Sequence, residues 1–145
     1  MRMDLLTKIL LGLFVLFLTA CQTSGTPSNL KEAEVQELPT AKGEVQIKTE
    51  KDTYSSDAER IMLLITNNSD EGLSGAFFEL EKAIDGTWYE FPLKDSGPID
   101  AIGGYQSPHA TSQLTLSTEE LQYELSPGSY RATFLGMASE FTVTE

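Results

Sequence analysis

The chain has 145 residues and a formal net charge of −12, with 10 Lys and Arg against 22 Asp and Glu. A surface of that sign repels DNA, RNA and anionic lipid headgroups and offers no basic stripe, so nucleic acid is excluded as an expected partner and plain solubility is the simplest use of the charge. A single cysteine leaves no pair for an intramolecular disulfide and no thiolate cluster for a metal.

The chain opens with a cationic start, Arg2 and Lys8. An apolar run follows from Ile9 to Leu18, broken only by Gly12, and small Thr19 and Ala20 lead into Cys21. The run falls short of the roughly 20 apolar residues of a membrane span. Leu18-Thr19-Ala20-Cys21 resembles the lipobox of the bacterial lipoprotein family. That resemblance implies a signal peptide over residues 1–20, cleavage between Ala20 and Cys21, and a diacylglyceryl group on the Cys21 thiol carrying acyl chains such as palmitate. Two chains, at about 0.8 kcal/mol per buried methylene, hold a membrane far longer than one. Cleavage removes Arg2, Lys8 and Asp4, which takes the charge from −12 to −13. The expected location is the cell membrane, lipid-anchored on the extracytoplasmic face. Gln22 is not the aspartate that commonly retains lipoproteins in the inner membrane of two-membrane cells, so in such a host the outer membrane is expected.

Residues 21–43 read as the lipidated terminus and a flexible linker: Thr23 to Ser28 are small and polar, Glu32, Glu34 and Glu37 follow without an apolar period, and Pro39 and Gly43 interrupt what remains. A coil of about 22 residues holds a folded domain on the order of 25 Å from the bilayer. Lys31 to Leu38 is long enough only for a marginal helical turn or two.

From Glu44 to Glu145 short alternating runs are separated by turn residues, the pattern of one all-β domain of immunoglobulin size with about seven antiparallel strands. Val45 and Ile47 share one face of a first strand. A polar turn at Asp52 to Asp57 precedes a richer strand, Glu59 to Thr66, which ends at Asn67-Asn68-Ser69-Asp70. Asp85-Gly86 then separates Ala76 to Ala83 from Thr87 to Leu93, as in a hairpin whose turn needs positive φ. A two-residue loop pairs Ala83 with Trp88, Lys82 with Tyr89 and Leu80 with Phe91. It leaves Trp88 opposite the core face of Phe78, Leu80, Tyr89, Phe91 and Leu93, and it sets Glu81 against Glu90, a mildly unfavourable like-charge pair. A three-residue loop faces Lys82 with Trp88 instead and brings Trp88 to the Phe78 and Leu80 side; the pattern admits both registers.

Lys94 to Pro108 is irregular, with Gly97-Pro98 and Gly103-Gly104 around Ile99 to Ile102, which is either loop or edge strand. Ala110, Ser112, Leu114 and Leu116 alternate along a half-buried strand. Ser117-Thr118-Glu119-Glu120 matches a capping box and predicts a brief helical turn carrying Leu121 to the core. Leu125, Pro127, Gly128 and Tyr130 mark a corner whose tyrosine packs inward and bonds nearby backbone, a stabilising role. Tyr130, Ala132 and Phe134 then share a strand face, and Phe141 and Val143 belong to the last strand.

Thr66 to Ser69, Phe78 to Lys82, Asp85 to Tyr89 and Leu125 to Arg131 together resemble a bacterial immunoglobulin-like domain family found in Gram-positive lipoproteins, over about Val45 to Val143. Ser107-Pro108-His109 departs from it, since the family tends to place a Pro-Gly turn there. The resemblance implies a β-sandwich in an extracytoplasmic setting and carries no catalytic residues. No cysteine pair brackets Trp88 as in antibody domains.

No catalytic site, metal site or cofactor is expected. His109 is the only histidine and no Gly-x-Ser-x-Gly nucleophile elbow accompanies it. Glu79 with Glu81, and Glu119 with Glu120, are read as solvated faces rather than acid and base. Zinc spacing, a phosphate-cradling glycine loop and a dense calcium loop are missing, a weak calcium site at Asp95 and Asp100 being the nearest approach. The expectation is a noncatalytic binding module at the cell envelope, meeting another envelope protein or wall polymer, with Trp88, Tyr89 and Tyr105 as possible contact residues. The alternative is a protease inhibitor that inserts an end loop, Gly97 to Tyr105 or Asp70 to Gly75, into an active-site cleft, an analogy of fold alone.

Overall fold

Apolar residues at every second position make strands that each bury one face. The computed structural model describes residues 27–75, 77–94 and 104–145. Ala20, Cys21, Asp95, Asp100 and the stretch Ile99 to Ile102 lie outside them. In chain order the strands are β1 (Ala41–Lys42), β2 (Val45–Thr49), β3 (Thr53–Ser55), β4 (Arg60–Asn67), β5 (Leu73–Ser74), β6 (Glu79–Ile84), β7 (Thr87–Phe91), β8 (Tyr105–Gln106), β9 (Ala110–Ser117), β10 (Gly128–Phe134) and β11 (Met137–Thr144), with a 3-10 turn at Thr118–Glu120. Seven of these strands have five or more residues, the number of an immunoglobulin-type sandwich.

A four-stranded sheet runs β1-β2-β4-β9, a five-stranded sheet runs β3-β11-β10-β6-β7, and β5 pairs with β8 in a separate ribbon. All pairs are antiparallel except β3 with β11. The core lies between the sheets. Ile47, Ile61, Leu63, Ile65 and Leu116 come from the first; Tyr54, Leu80, Phe91, Tyr130, Ala132, Phe134, Phe141 and Val143 come from the second. Tyr130 is its aromatic hub, edge-on to Phe91 at 5.3 Å and stacked on Phe141 at 5.7 Å between ring centroids.

The short β3 replaces part of the polar turn expected at Asp52 to Asp57. Its Tyr54 is buried and meets Phe141 edge-on. Three residues carry too little alternation to be read as a strand, and their partner, Thr142–Thr144, is almost ninety residues away. Fully buried Asn67 organises the following turn: its amide donates to Glu71 O and Ser107 O, and its Oδ1 accepts from Ser69 N and Ser69 Oγ. The 3-10 turn at Thr118–Glu120 is where the capping pattern predicts one, yet Ser117 makes no side-chain cap; Thr118 Oγ1 donates instead to Ala58 O at 2.7 Å.

The hairpin resolves to the two-residue loop. Ala83 pairs with Trp88, Lys82 with Tyr89, Glu81 with Glu90 and Leu80 with Phe91. Asp85 and Gly86 both take positive φ, 50° and 81°, the backbone that a type I′ turn requires.

The flexible linker expected through Gly43 is corrected by the structure. β1 pairs with β2 across the Gly43 turn, Ile47 N donates to Thr40 O, and Ala138 N donates to Pro39 O at 2.9 Å. Upstream, Lys31 to Gln36 forms a strap along the outer edge of β7: Glu90 N donates to Lys31 O at 2.8 Å and Ala33 N to Trp88 O at 3.0 Å. Ala33 is buried and Leu30 packs on the core. A strap pairs through its backbone, so it needs no apolar period in its sequence, and it covers an edge that would otherwise present unpaired N–H and C=O groups.

Candidate functional site

The outer face of the five-stranded sheet carries the charge that alternation keeps from the core. Register aligns Arg131 of β10 with Glu81 of β6, and Glu81 with Glu90 of β7. Both glutamates of the like-charge pair are neutralised. Arg131 Nε donates to Glu81 Oε2, while Lys31 Nζ of the strap reaches Glu90 Oε1 at 2.9 Å. The glutamate hydrogen bond, then its charge, raises the Lys31 pKa.

Arg131 is only 2% exposed, and each of its donor nitrogens has a partner. Nη1 donates to Gln36 O and Nη2 to Val35 O, both at 2.6 Å. Its guanidinium lies 4.6 Å from the centre of the Trp88 ring. Gln36 completes the clamp, accepting from Trp88 N at 2.8 Å on Oε1 and donating from Nε2 to Trp88 O. A buried cation is tolerable where every donor is satisfied, and here the partners come from the strap and the sheet together.

Trp88 is therefore half-buried beneath Arg131 rather than a free anchor. Tyr89 points to the opposite face of β7, beside Lys82, and is half-buried as well. Tyr105 is 63% exposed, but it sits on β8, over Gly72, where a Cβ would collide with its ring. The three residues do not converge on one patch.

At the corner, Tyr130 Oη donates to Ser126 O at 3.0 Å and accepts from Ser126 N at 3.1 Å. Leu125 is buried there, Pro127 is exposed, and Gly128 opens β10. Buried Lys82 places its ammonium 5.0 Å from the Tyr130 ring centre and donates to Ser126 Oγ. These contacts hold the corner together. His109 is exposed, with Nε2 at 2.7 Å from Asp70 Oδ1. Its φ of 49° is a backbone glycine adopts easily, at the position where the resemblance expected Pro-Gly.

What does converge is a groove of about 520 Å³ between the strap and the β10–β11 turn. The strap side supplies Glu34, Val35 and Leu38, the sheet supplies Glu79, Glu81, Glu90 and Thr133, and Phe77 and Leu135 form the far rim. Val35, Phe77 and Leu135 are each about half exposed, at 51%, 49% and 48%, and with Tyr105 they are the large hydrophobic residues that stand out among the described residues. Three of the four thus line one depression. Phe134 pairs with Met137, so Leu135 and Gly136 are the two central residues of a hairpin turn, with φ of 48° and 76°. Position one of such a turn suits Asn, Asp or Gly, as Asp85 does in the β6–β7 hairpin; a leucine in left-handed backbone is a costly choice.

The groove was not legible in the sequence. Val35 lies in a stretch read as linker, and Leu135-Gly136 is a weak turn signal because the first residue contradicts the turn's chemistry.

The family model of a bacterial Ig-like domain matches residues 41–134. No curated protein matches the chain.

Proposed function

The chain belongs to the bacterial Ig-like domain family, and from that premise we propose that it is a noncatalytic binding module, tethered outside the cytoplasmic membrane through a lipidated Cys21. Domains of this family are typically noncatalytic. The observation that carries the binding role is the groove, which Val35, Phe77 and Leu135 line while each stays half exposed. Clustered apolar surface kept in water is a common mark of an interaction site.

The membrane tether is supported by Leu18-Thr19-Ala20-Cys21 after its cationic and apolar lead. Because Leu30 packs on the core and the strap begins pairing at Lys31, only residues 22–29 separate Cys21 from the domain. A coil of that length reaches on the order of 15 Å, so the groove would work close to the bilayer and meet partners of the envelope.

The test is mass spectrometry of the mature N-terminus with palmitate labelling in cells, for wild type and Cys21→Ala, together with a photocrosslinker placed at Phe77. A diacylglyceryl-modified Cys21, and its loss as unprocessed precursor in the variant, supports the anchor; an unmodified Cys21 in the wild type overturns it. One envelope partner captured reproducibly through Phe77 supports the binding role. Capture no different from that of an unmodified protein overturns it.

A further inference from the structure

The chemistry of the groove names the class of partner. Its lining carries four glutamates, Glu34, Glu79, Glu81 and Glu90, and no lysine or arginine. Arg131 and Lys31 serve Glu81 and Glu90, whereas Glu34 and Glu79 have no ion-pair partner within 4 Å among the described residues. Lys42 is not part of the lining, although its Nζ approaches the lining residue Gly136, 3.1 Å from where a Cβ would stand. Glu34 and Glu79 feel the charge of Lys31 only beyond salt-bridge range, so apolar side chains and carboxylates without a direct ion pair share one depression on a chain of net charge −12.

A second observation points the same way. Leu135 holds an unfavourable left-handed backbone conformation while its side chain stands half in water. Asparagine or aspartate would relieve both penalties at once, and the Asp85-Gly86 turn shows the ordinary solution in the same chain. Strain and exposure at one residue, on the rim of the one depression that gathers the exposed apolar side chains, mark a position kept for contact rather than for folding. Val35 and Leu135 lie outside the stretch that matches the family, residues 41–134, whereas Phe77 lies inside it.

We propose that the groove docks a cationic amphipathic peptide segment of a partner protein, which sets apolar side chains against Val35, Phe77 and Leu135 and lysines or arginines against Glu34 and Glu79. The proposal deepens the binding-module reading and rests on it. Anionic polymers and anionic lipid surfaces are disfavoured by the same carboxylates, because like charges raise the cost of approach. A groove of this volume lies in the range that encloses a few side chains.

The experiment measures binding of three fluorescein-labelled peptides to the full-length protein in mild non-ionic detergent. One alternates Lys and Leu, one alternates Glu and Leu, and one alternates Lys and Ser. The Lys-Leu peptide is expected to bind at least tenfold more tightly than either of the others. Leu135→Asn should weaken it about tenfold without loss of fold, since asparagine tolerates the left-handed conformation. Glu34→Gln with Glu79→Gln should weaken it similarly and flatten its salt dependence; Glu119→Gln with Glu120→Gln, outside the groove, should leave it unchanged. Equal binding of the Glu-Leu peptide, or Lys-Leu binding indifferent to the groove variants, overturns the proposal. The Phe77 crosslink separates the two readings. A captured partner whose crosslinked segment is acidic or uncharged overturns the cationic-peptide proposal and leaves the binding module standing, while no capture through Phe77 overturns both.

Discussion

Arg131 Nη1 donates to Gln36 O at 2.6 Å, joining residues 95 positions apart and sealing the strap to the outer sheet face. With the bonds to Val35 O and Glu81, this buried guanidinium is the link between the family's sandwich and the segment that precedes it.

Arg131→Ala removes that link and leaves two part-buried carbonyls and a glutamate without their donor. Breaking a buried charge network from one side costs about 3–5 kcal/mol, so the urea midpoint should fall by that equivalent. Hydrogen exchange should rise at residues 31–36 first, and Trp88 fluorescence should report the loss of its cationic cover. A variant with unchanged strap protection would show that backbone pairing to β7 suffices.

Tyr130→Phe keeps the ring in the core and deletes both hydrogen bonds to Ser126. Ser126 is only half-buried, so water can take its place in part. The expected loss is about 1 kcal/mol, read as a modest fall in urea midpoint with an unchanged m-value.

Leu135→Asn is expected to stabilise the domain. It relieves a left-handed leucine and an exposed apolar side chain, a gain of about 1 kcal/mol. Higher thermal stability with weaker Lys-Leu peptide binding is the signature of a residue retained for contact. Lower stability would mean that Leu135 packs usefully in the free protein.

The strap also carries a pH dependence. The hydrogen bond from Lys31 to Glu90, and then the glutamate charge, raise the lysine pKa above its ordinary 10.5. A raised lysine pKa means that the unfolded state loses its proton first. The contribution is complete below the ordinary value and disappears as pH climbs through the folded one. The difference in urea midpoint between wild type and Lys31→Met should be flat at neutral and mildly alkaline pH and shrink only above about 10.5. A difference that disappears already near neutrality would assign the effect to another group.

Much of this architecture was legible from alternation and turn chemistry. Val45 and Ile47, Ile61, Leu63 and Ile65, and Tyr130, Ala132 and Phe134 have the period of two that buries one strand face, and the buried residues of these strands follow it except Arg131, which is buried on the other face beneath the strap. Asp85-Gly86 located the β6–β7 hairpin, although two registers of that hairpin place apolar residues about equally well. Tertiary neighbours decide between them. The two-residue register sets Glu81 against Glu90, and that becomes acceptable once Arg131 and Lys31 arrive from other parts of the chain.

Composition and residue order by themselves determined that the protein is acidic, has one cysteine and carries β-periodic runs over its last hundred residues, because these are summed or local properties of the chain. The strap over β7, the cover on Trp88 and the meeting of Val35, Phe77 and Leu135 were decided only in three dimensions. Each depends on backbone pairing or contact between segments far apart in sequence, and such pairing uses N–H and C=O groups that nearly every residue carries alike.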